Sequence, residues 1–330
     1  MDLDDEWLNF QENGEISENC SKTQEKKVQR KIPKCSIIYI STQTKIAYLS
    51  EKIDLNDIFW KLKTIPYQNP EIGIIKKSIK INNIDKNAVK LLDEKIKNDS
   101  RIQCHIINHI DDPTSSKIKY KDVRKITVGL CSKDIISFRK KQKGAFYNCF
   151  ALIIRLKYKN IFKEVHVKVF NTGKLEIPGI QHDDLLIITI GELIKILQPH
   201  FKKTITYKNT DIQTVLINSN FSSGFYINRN IFHDILKYKY NLDVMYDPCS
   251  YPGIQSKFYF NKKNKIHNGM CKCEKKCEKK KKDKTKNNCT EVSFMIFRTG
   301  SILIVGNCNK TILLVVYNFL KQVLIDEFEK

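Results

Sequence analysis

The sequence is short of the residues that break a chain or staple it. Glycine (12) and proline (8) are sparse among 330 residues, which excludes collagen-like and linker-rich architectures. Acidic residues are outnumbered, 36 Asp and Glu against 58 Lys and Arg. No apolar run is long enough to span a bilayer, and no secretory leader is recognisable at the start. Without export signals, eleven cysteines, an odd number, imply reduced thiols in an intracellular compartment rather than a disulfide framework. Nucleophile elbow, phosphate loop, HExxH helix and paired catalytic carboxylates are all missing, so no enzymatic activity is expected. His166, His182 and His200 show no ligand spacing. Cys271, Cys273, Cys277 and Cys289 follow C-x-C-x3-C-x11-C, and the stronger zinc signal, C-x2-C, is absent. Free thiols are expected there, with no metal and no cofactor.

What is present is positive charge and a repeat. The net charge of +22 would draw a polyanion, nucleic acid before others. The apolar fraction of 41% suffices for a buried core. Glu164–Gly179 (EVHVKVFNTGKLEIPG) returns as Glu291–Gly306 (EVSFMIFRTGSILIVG), identical at seven of 16 positions. Both copies read as two strands joined by a tight Thr-Gly turn, because Gly tolerates the positive φ such turns need. An apolar segment of helical length follows each, and duplication of the unit predicts a pseudo-twofold molecule. In the first copy Val165, Val167 and Val169 share one face, and His166, Lys168 and Phe170 the other. An aromatic opposite the valines, repeated as Phe297, points to a surface role.

In chain order, residues 1–34 read as a disordered charged tail, in which Trp7, Leu8 and Phe10 stand out. Cys35–Leu49 reads as a strand, and Ile53–Ile65 as a helix capped by Asp54 or Asn56. Residues 66–143 fit the repeat poorly. They read as an insertion forming its own layer, ending in the basic run Arg139–Lys143. Phe146–Tyr158 reads as a strand with Phe150, Leu152, Ile154 and Leu156 toward helices, and Cys149, Ala151, Ile153 and Arg155 outward. Asp183–Leu197 reads as a helix with Asp183 and Asp184 as candidate caps. Strands at 210–219 and 251–260, a helix at 230–239 and a final helix at 310–328 repeat the plan. Residues 262–286 carry twelve lysines and loop out between strands, a disordered segment extending to 290.

These segments resemble a known family. KIDLNDIFWKL (Lys52–Leu62), FALIIRL (Phe150–Leu156), FNTGKLEIPG (Phe170–Gly179), DIQTVL (Asp211–Leu216), YDPCSYPGI (Tyr246–Ile254) and FRTGSILIVG (Phe297–Gly306) are together similar to the core domain of the TATA-box-binding protein (TBP). The large insertions look more like the divergent TBP-like proteins of large DNA viruses than a cellular copy. The resemblance implies an α+β saddle. Its two pseudo-symmetric repeats, 35–200 and 201–330, would form one curved antiparallel sheet with helices on the convex face.

It further implies a monomer that binds and bends A/T-rich promoter DNA through the minor groove, the mode for which this family is the standard example. Initiation factors and RNA polymerase would be its partners, in the nucleus or in a cytoplasmic viral factory. Carried over by position, the intercalating wedges would be Phe170, Phe297 and Tyr251, with the fourth at Cys149 or at Phe150. Phosphate contacts would come from Arg155, Lys174 and Lys257, and central groove contacts from Thr42 or Thr44 and from Thr214. Leu303 and Val305 would line the groove, and Tyr246, Asp247 and Pro248 would meet protein partners. Glu176 and Pro178 replace small or hydroxyl residues on the DNA face of the first half, and a carboxylate facing phosphates is repulsive. That substitution supports an alternative, a scaffold of the same fold that binds initiation factors or polymerase without specific DNA binding.

Overall fold

The computed structural model describes residues 34–116, 118–137, 146–273, 277 and 289–328. The chain divides into residues 1–33 and a compact unit, 34–330. The acidic tail with Trp7, Leu8 and Phe10, and the basic run 139–143, lie outside the described residues.

The compact unit starts with β1 (Tyr39–Tyr48), α1 (Leu55–Lys61) and β2 (Gly73–Asn83). Then come α2 (Lys86–Lys97), β3 (Ile102–Asp111), β4 (Tyr120–Gly129) and α3 (Ser132–Ile136). The first half closes with β5 (Cys149–Tyr158), β6 (Ile161–Phe170), β7 (Lys174–Ile180) and α4 (Asp183–Leu197). The second half contains β8 (Gln213–Ser222), α5 (Arg229–Asp234), β9 (Asp243–Met245), β10 (Ile254–Phe260), β11 (Thr290–Ile296), β12 (Ser301–Gly306) and α6 (Lys310–Asp326).

All twelve strands join one antiparallel sheet in the order β3-β4-β2-β5-β6-β7-β1-β8-β12-β11-β10-β9. From the β1–β8 seam outward, β1-β7-β6-β5-β2 mirrors β8-β12-β11-β10-β9. This corrects the separate-layer reading of 66–143. Strand β2 pairs with β5 and is the counterpart of β9, and β4 and β3 prolong the same sheet at its edge. The inserted material is therefore α2, β3, β4 and α3, and β2 belongs to the repeat itself.

The two halves agree down to single hydrogen bonds. Leu49 N–H donates to Gly173 O (2.9 Å) and Ile53 N–H to Asn171 O (2.9 Å); in the second half Ser223 N–H donates to Gly300 O (2.8 Å) and Ile227 N–H to Arg298 O (2.9 Å). Asp54 caps α1 through Oδ1, and Asn228 caps α5 in the same way, each accepting two backbone N–H groups at the helix start. Among the expected caps of α4 the outcome differs. His182 is the N-cap residue, and Asp183 instead meets Lys45 Nζ at 3.0 Å. In α4 the buried Leu185, Leu186, Thr189, Leu193 and Leu197 correspond one for one with Ile312, Leu313, Val316, Leu320 and Leu324 of α6.

Each half has its own core. The first gathers α1 and α4 over Val165, Val167, Val169, Leu175 and Ile177; the second gathers α5 and α6 over Val292, Phe294, Ile302 and Ile304. The cores exchange elements at the seam. Cys35, Ile38 and Ile40, leading into and opening β1, pack on the second core, and Tyr207 and Ile212, preceding β8, pack on the first. Strand parity then places both cores on one face of the sheet, leaving the other face open. Lys77, on the helix-bearing face, donates to Phe59 O (2.7 Å) and Leu62 O (2.6 Å), completing the C-terminus of α1. Burial pulls its ammonium pKa down to about 8. No helix among the described residues is long and apolar enough to cross a membrane.

The repeated Thr-Gly turns explain why the sequence motif is duplicated. Gly173 (φ +80) and Gly300 (φ +77) are left-handed, and an added Cβ would collide with Glu51 O and Phe225 O respectively. Gly179 is also left-handed (φ +84), with open space around the same position. Gly173→Ala and Gly300→Ala are therefore each expected to cost more than ~2 kcal/mol, and Gly179→Ala about 1 kcal/mol. Chemical denaturation of the three variants checks this; equal costs at all three sites would contradict the close-approach account.

Candidate nucleic-acid interface

The open face is built from the strand positions that alternate with the core. At its centre Asn218 Nδ2 donates to Thr42 Oγ1 (3.1 Å) and Ser41 Oγ donates to Asn218 O (3.0 Å), tying β1 to β8. Outward in the second half run two cross-strand rows, Asn220–Leu303–Met295–Gln255 and Asn218–Val305–Ser293–Lys257. Leu303, Val305 and Met295 are half-buried with no helix over them, so this surface is apolar and open. Lys257 lies at its outer end, 3.7 Å from Glu291 Oε1.

The first half places Glu176 and Lys168 where the second has Leu303 and Met295. The two are cross-strand partners, and Lys168 Nζ donates to Glu176 Oε1 at 2.6 Å. The carboxylate that would repel phosphate is thus offset by an adjacent ammonium. The central polar pair is also asymmetric. The counterparts of Thr42 and Thr44 in the second half are Leu216 and Asn218, since Thr42 pairs with Asn218 and Thr44 with Leu216. Thr214 does not join them. It pairs with Lys45, whose ammonium turns to Asp183 on the helix side, and directly opposed residues share a face.

Aromatic side chains stand at both ends of the open face. Phe297 and Tyr251 come together with ring centroids 5.9 Å apart, and Gly253 leaves room for the Phe297 ring. In the first half Phe170 is half-buried, with Lys174 Nζ 5.3 Å from its ring centre. The first-half counterpart of Tyr251 is a residue that sequence reasoning missed. Register makes Phe150 the counterpart of Ile254, since Phe150 pairs with Val169 and Ile254 with Ile296. Tyr147 is then the counterpart of Tyr251. Tyr147 is exposed, and Lys80 Nζ sits 3.6 Å from its ring centre. A hydrogen bond from the Lys80 ammonium pulls the Tyr147 hydroxyl pKa down. The signal was in the sequence: Tyr147-Asn-Cys leads into Phe150 as Tyr251-Pro-Gly leads into Ile254.

Besides Thr214, three expected contacts are overturned. Phe150 is fully buried, its ring 6.3 Å from that of Phe59 in the first core. Cys149 is buried opposite Phe170, and burial raises its thiol pKa. Neither presents a wedge. Arg155 is 7% exposed, donates to Asn69 O and to Tyr67 O (2.8 Å), and lies over the Tyr67 ring at 4.8 Å. Next to it Ser132 Oγ and N–H donate to Glu164, and Lys76 meets Asp134 at 2.6 Å. The 66–70 loop and α3 therefore cover the outer end of the open face in the first half.

The loop after β9 is ordered by its own side chains. Asp247 Oδ1 accepts from Cys249 N–H (3.0 Å), and hydrogen bonds from Ser250 and that N–H hold the carboxyl below its usual pKa. Tyr246 packs under Arg229 at 5.4 Å, and Arg229 donates to Pro252 O. Asp247 and Pro248 are exposed.

No family model matches the sequence, and no curated protein matches it. Among solved structures the chain is similar to Methanococcus jannaschii TBP, at 12% identity and a TM-score of 0.42, over 88% of this chain and 99% of that one. At that level of similarity the architecture rests on the strand order and hydrogen bonds described above.

The burial of Arg155 separates a structural from a DNA-contacting role. Arg155→Ala should lower the unfolding free energy by roughly 1–3 kcal/mol, because two backbone carbonyls lose their donor. Whatever affinity the wild type has for a duplex, the folded variant should keep it within about twofold. A stable variant with tenfold or weaker binding would restore the phosphate contact.

Proposed function

We propose that this chain is a TBP-like saddle that binds A/T-rich promoter DNA through the minor groove, bends it, and serves transcription initiation without catalysis. The reading rests on one observation: a continuous sheet whose helix-free face bears aromatic residues at its ends, Phe297 with Tyr251 in the second half and Phe170 and Tyr147 at the equivalent positions of the first, around a narrow polar centre. In this reading the helices lie on the convex side.

The physical chemistry suits a minor groove. A·T and T·A pairs offer only acceptors there, whereas G·C adds an amino donor. Half-buried Leu303, Val305 and Met295 meet a groove floor with few donors at little desolvation cost, and Thr42 and Asn218 supply the central hydrogen bonds. Aromatic wedges at both ends unstack base steps, which costs a few kcal/mol and is offset by the larger surface that bent DNA wraps. The charge of +22 concentrates the duplex, and Lys174 and Lys257 border the face. Initiation factors and polymerase would meet the Tyr246–Pro248 loop and the helices.

The covered outer end and the Glu176–Lys168 pair favour one other reading, a scaffold that keeps the fold and binds initiation factors without specific DNA binding. A bend-sensitive gel shift on an A/T-rich duplex separates the two. The wild type should bend the probe. The double variant Phe170→Ala with Phe297→Ala should lose the bend and about tenfold or more in affinity, that is ~1.4 kcal/mol or more. Bending retained in the double variant rejects the wedges, and a wild type that retains initiation factors but no duplex selects the scaffold.

A further inference from the structure

Four cysteines that the interface does not use converge beside the outer end of β10 and β11. Their sulfurs all lie within 4.8 Å of one another, although the sequence spacing suggested free thiols. Cys273 and Cys289 are 3.5 Å apart, Cys273 and Cys277 3.7 Å, and Cys271 and Cys289 3.9 Å. A disulfide needs about 2.05 Å, so these are not bonded pairs. Four thiolates in a tetrahedron at about 2.3 Å from a zinc ion stand about 3.8 Å apart, and the observed separations bracket that edge.

The surroundings are those of a built site. Cys277 is buried and the other three are half-buried. Asn261 Nδ2 lies 3.9 Å from Cys289 Sγ, and the backbone N–H groups of Cys273 and Cys277 are directed at Cys271. N–H donors on sulfur orient thiolate ligands and spread their charge. Two arms are fixed to the sheet. Tyr259 N–H donates to Gly269 O (3.0 Å) and the Phe260 ring stacks on His267 at 4.5 Å, which positions the approach to Cys271 and Cys273. Cys289 immediately precedes β11.

We propose that Cys271, Cys273, Cys277 and Cys289 form a closed, structural four-thiolate site for zinc. On loading, each thiol releases its proton and all four coordination positions are filled by sulfur, leaving none for catalysis. The filled site carries two net negative charges. The eleven residues between Cys277 and Cys289 include six lysines, which balance that charge. The ion would tie both ends of this basic segment to the start of β11, so that its charge is delivered from a fixed root beside the sheet.

Purified protein, kept reduced, should hold one equivalent of zinc by elemental analysis. Cobalt(II) replacing it should show the intense visible bands of a tetrahedral site and the near-ultraviolet absorption of thiolate-to-cobalt charge transfer. Cys273→Ser and Cys289→Ser should each lower zinc content at least about tenfold at equal free metal, and Cys104→Ser and Cys249→Ser, exposed elsewhere, should leave it unchanged. Should the serine variants fail to fold, native mass spectrometry of the wild type with and without a chelator decides, with loss of one zinc mass and four protons regained expected. A reduced wild type that takes up no zinc, a bound metal other than zinc, or intact mass showing two disulfides in place of metal would each overturn the proposal.

Discussion

The rest of the structure depends on the antiparallel seam between β1 and β8. Each half, taken alone, would end in a strand with a full row of unpaired backbone groups. Joining β1 to β8 removes both edges at once and makes one sheet from two cores. The segments flanking the seam are traded, so that Ile38 and Ile40 complete the second core while Tyr207 and Ile212 complete the first. Neither half can therefore slip by one residue without moving its apolar side chains to the wrong face. The same register that builds the cores places Thr42 against Asn218 at the middle of the open face.

Around that seam the buried faces are alike and the open faces have diverged. Capping by Asp54 and Asn228, the turns at Gly173 and Gly300 and the helix positions of α4 and α6 all correspond. Close packing tolerates little change in volume, which accounts for their persistence. On the open side the first half has an ion pair, Lys168 with Glu176, and a cover formed by the 66–70 loop and α3. The second half keeps Leu303, Met295 and Val305 bare. A duplex lying on this sheet would meet two chemically different half-surfaces, which would give the platform a direction.

The aromatic residues show where sequence reasoning reached and where it stopped. Phe170 and Phe297 were readable because each stands on the face opposite an inward apolar row, in two copies of one motif. Carry-over by position puts the fourth aromatic two or three residues too late, at Cys149 or Phe150. Position within β5 depends on its pairing with β6, and the pairing shows that Tyr147 stands where Tyr251 does.

The sequence by itself determined the duplicated strand–turn–strand–helix unit, a cap at Asp54 or Asn56, the inward parity of β5 and β6, and the basic character of the chain. Those features come from period-two alternation, glycine at positive φ and side-chain capping, all of which act over a few residues. Only the tertiary structure decided that β2 extends the main sheet, that Arg155 is consumed by the carbonyls of Tyr67 and Asn69, and that four unevenly spaced cysteines meet. Each of these depends on groups brought together by chain closure across many residues, and local patterning carries no information about which distant backbone or sulfur a side chain will find.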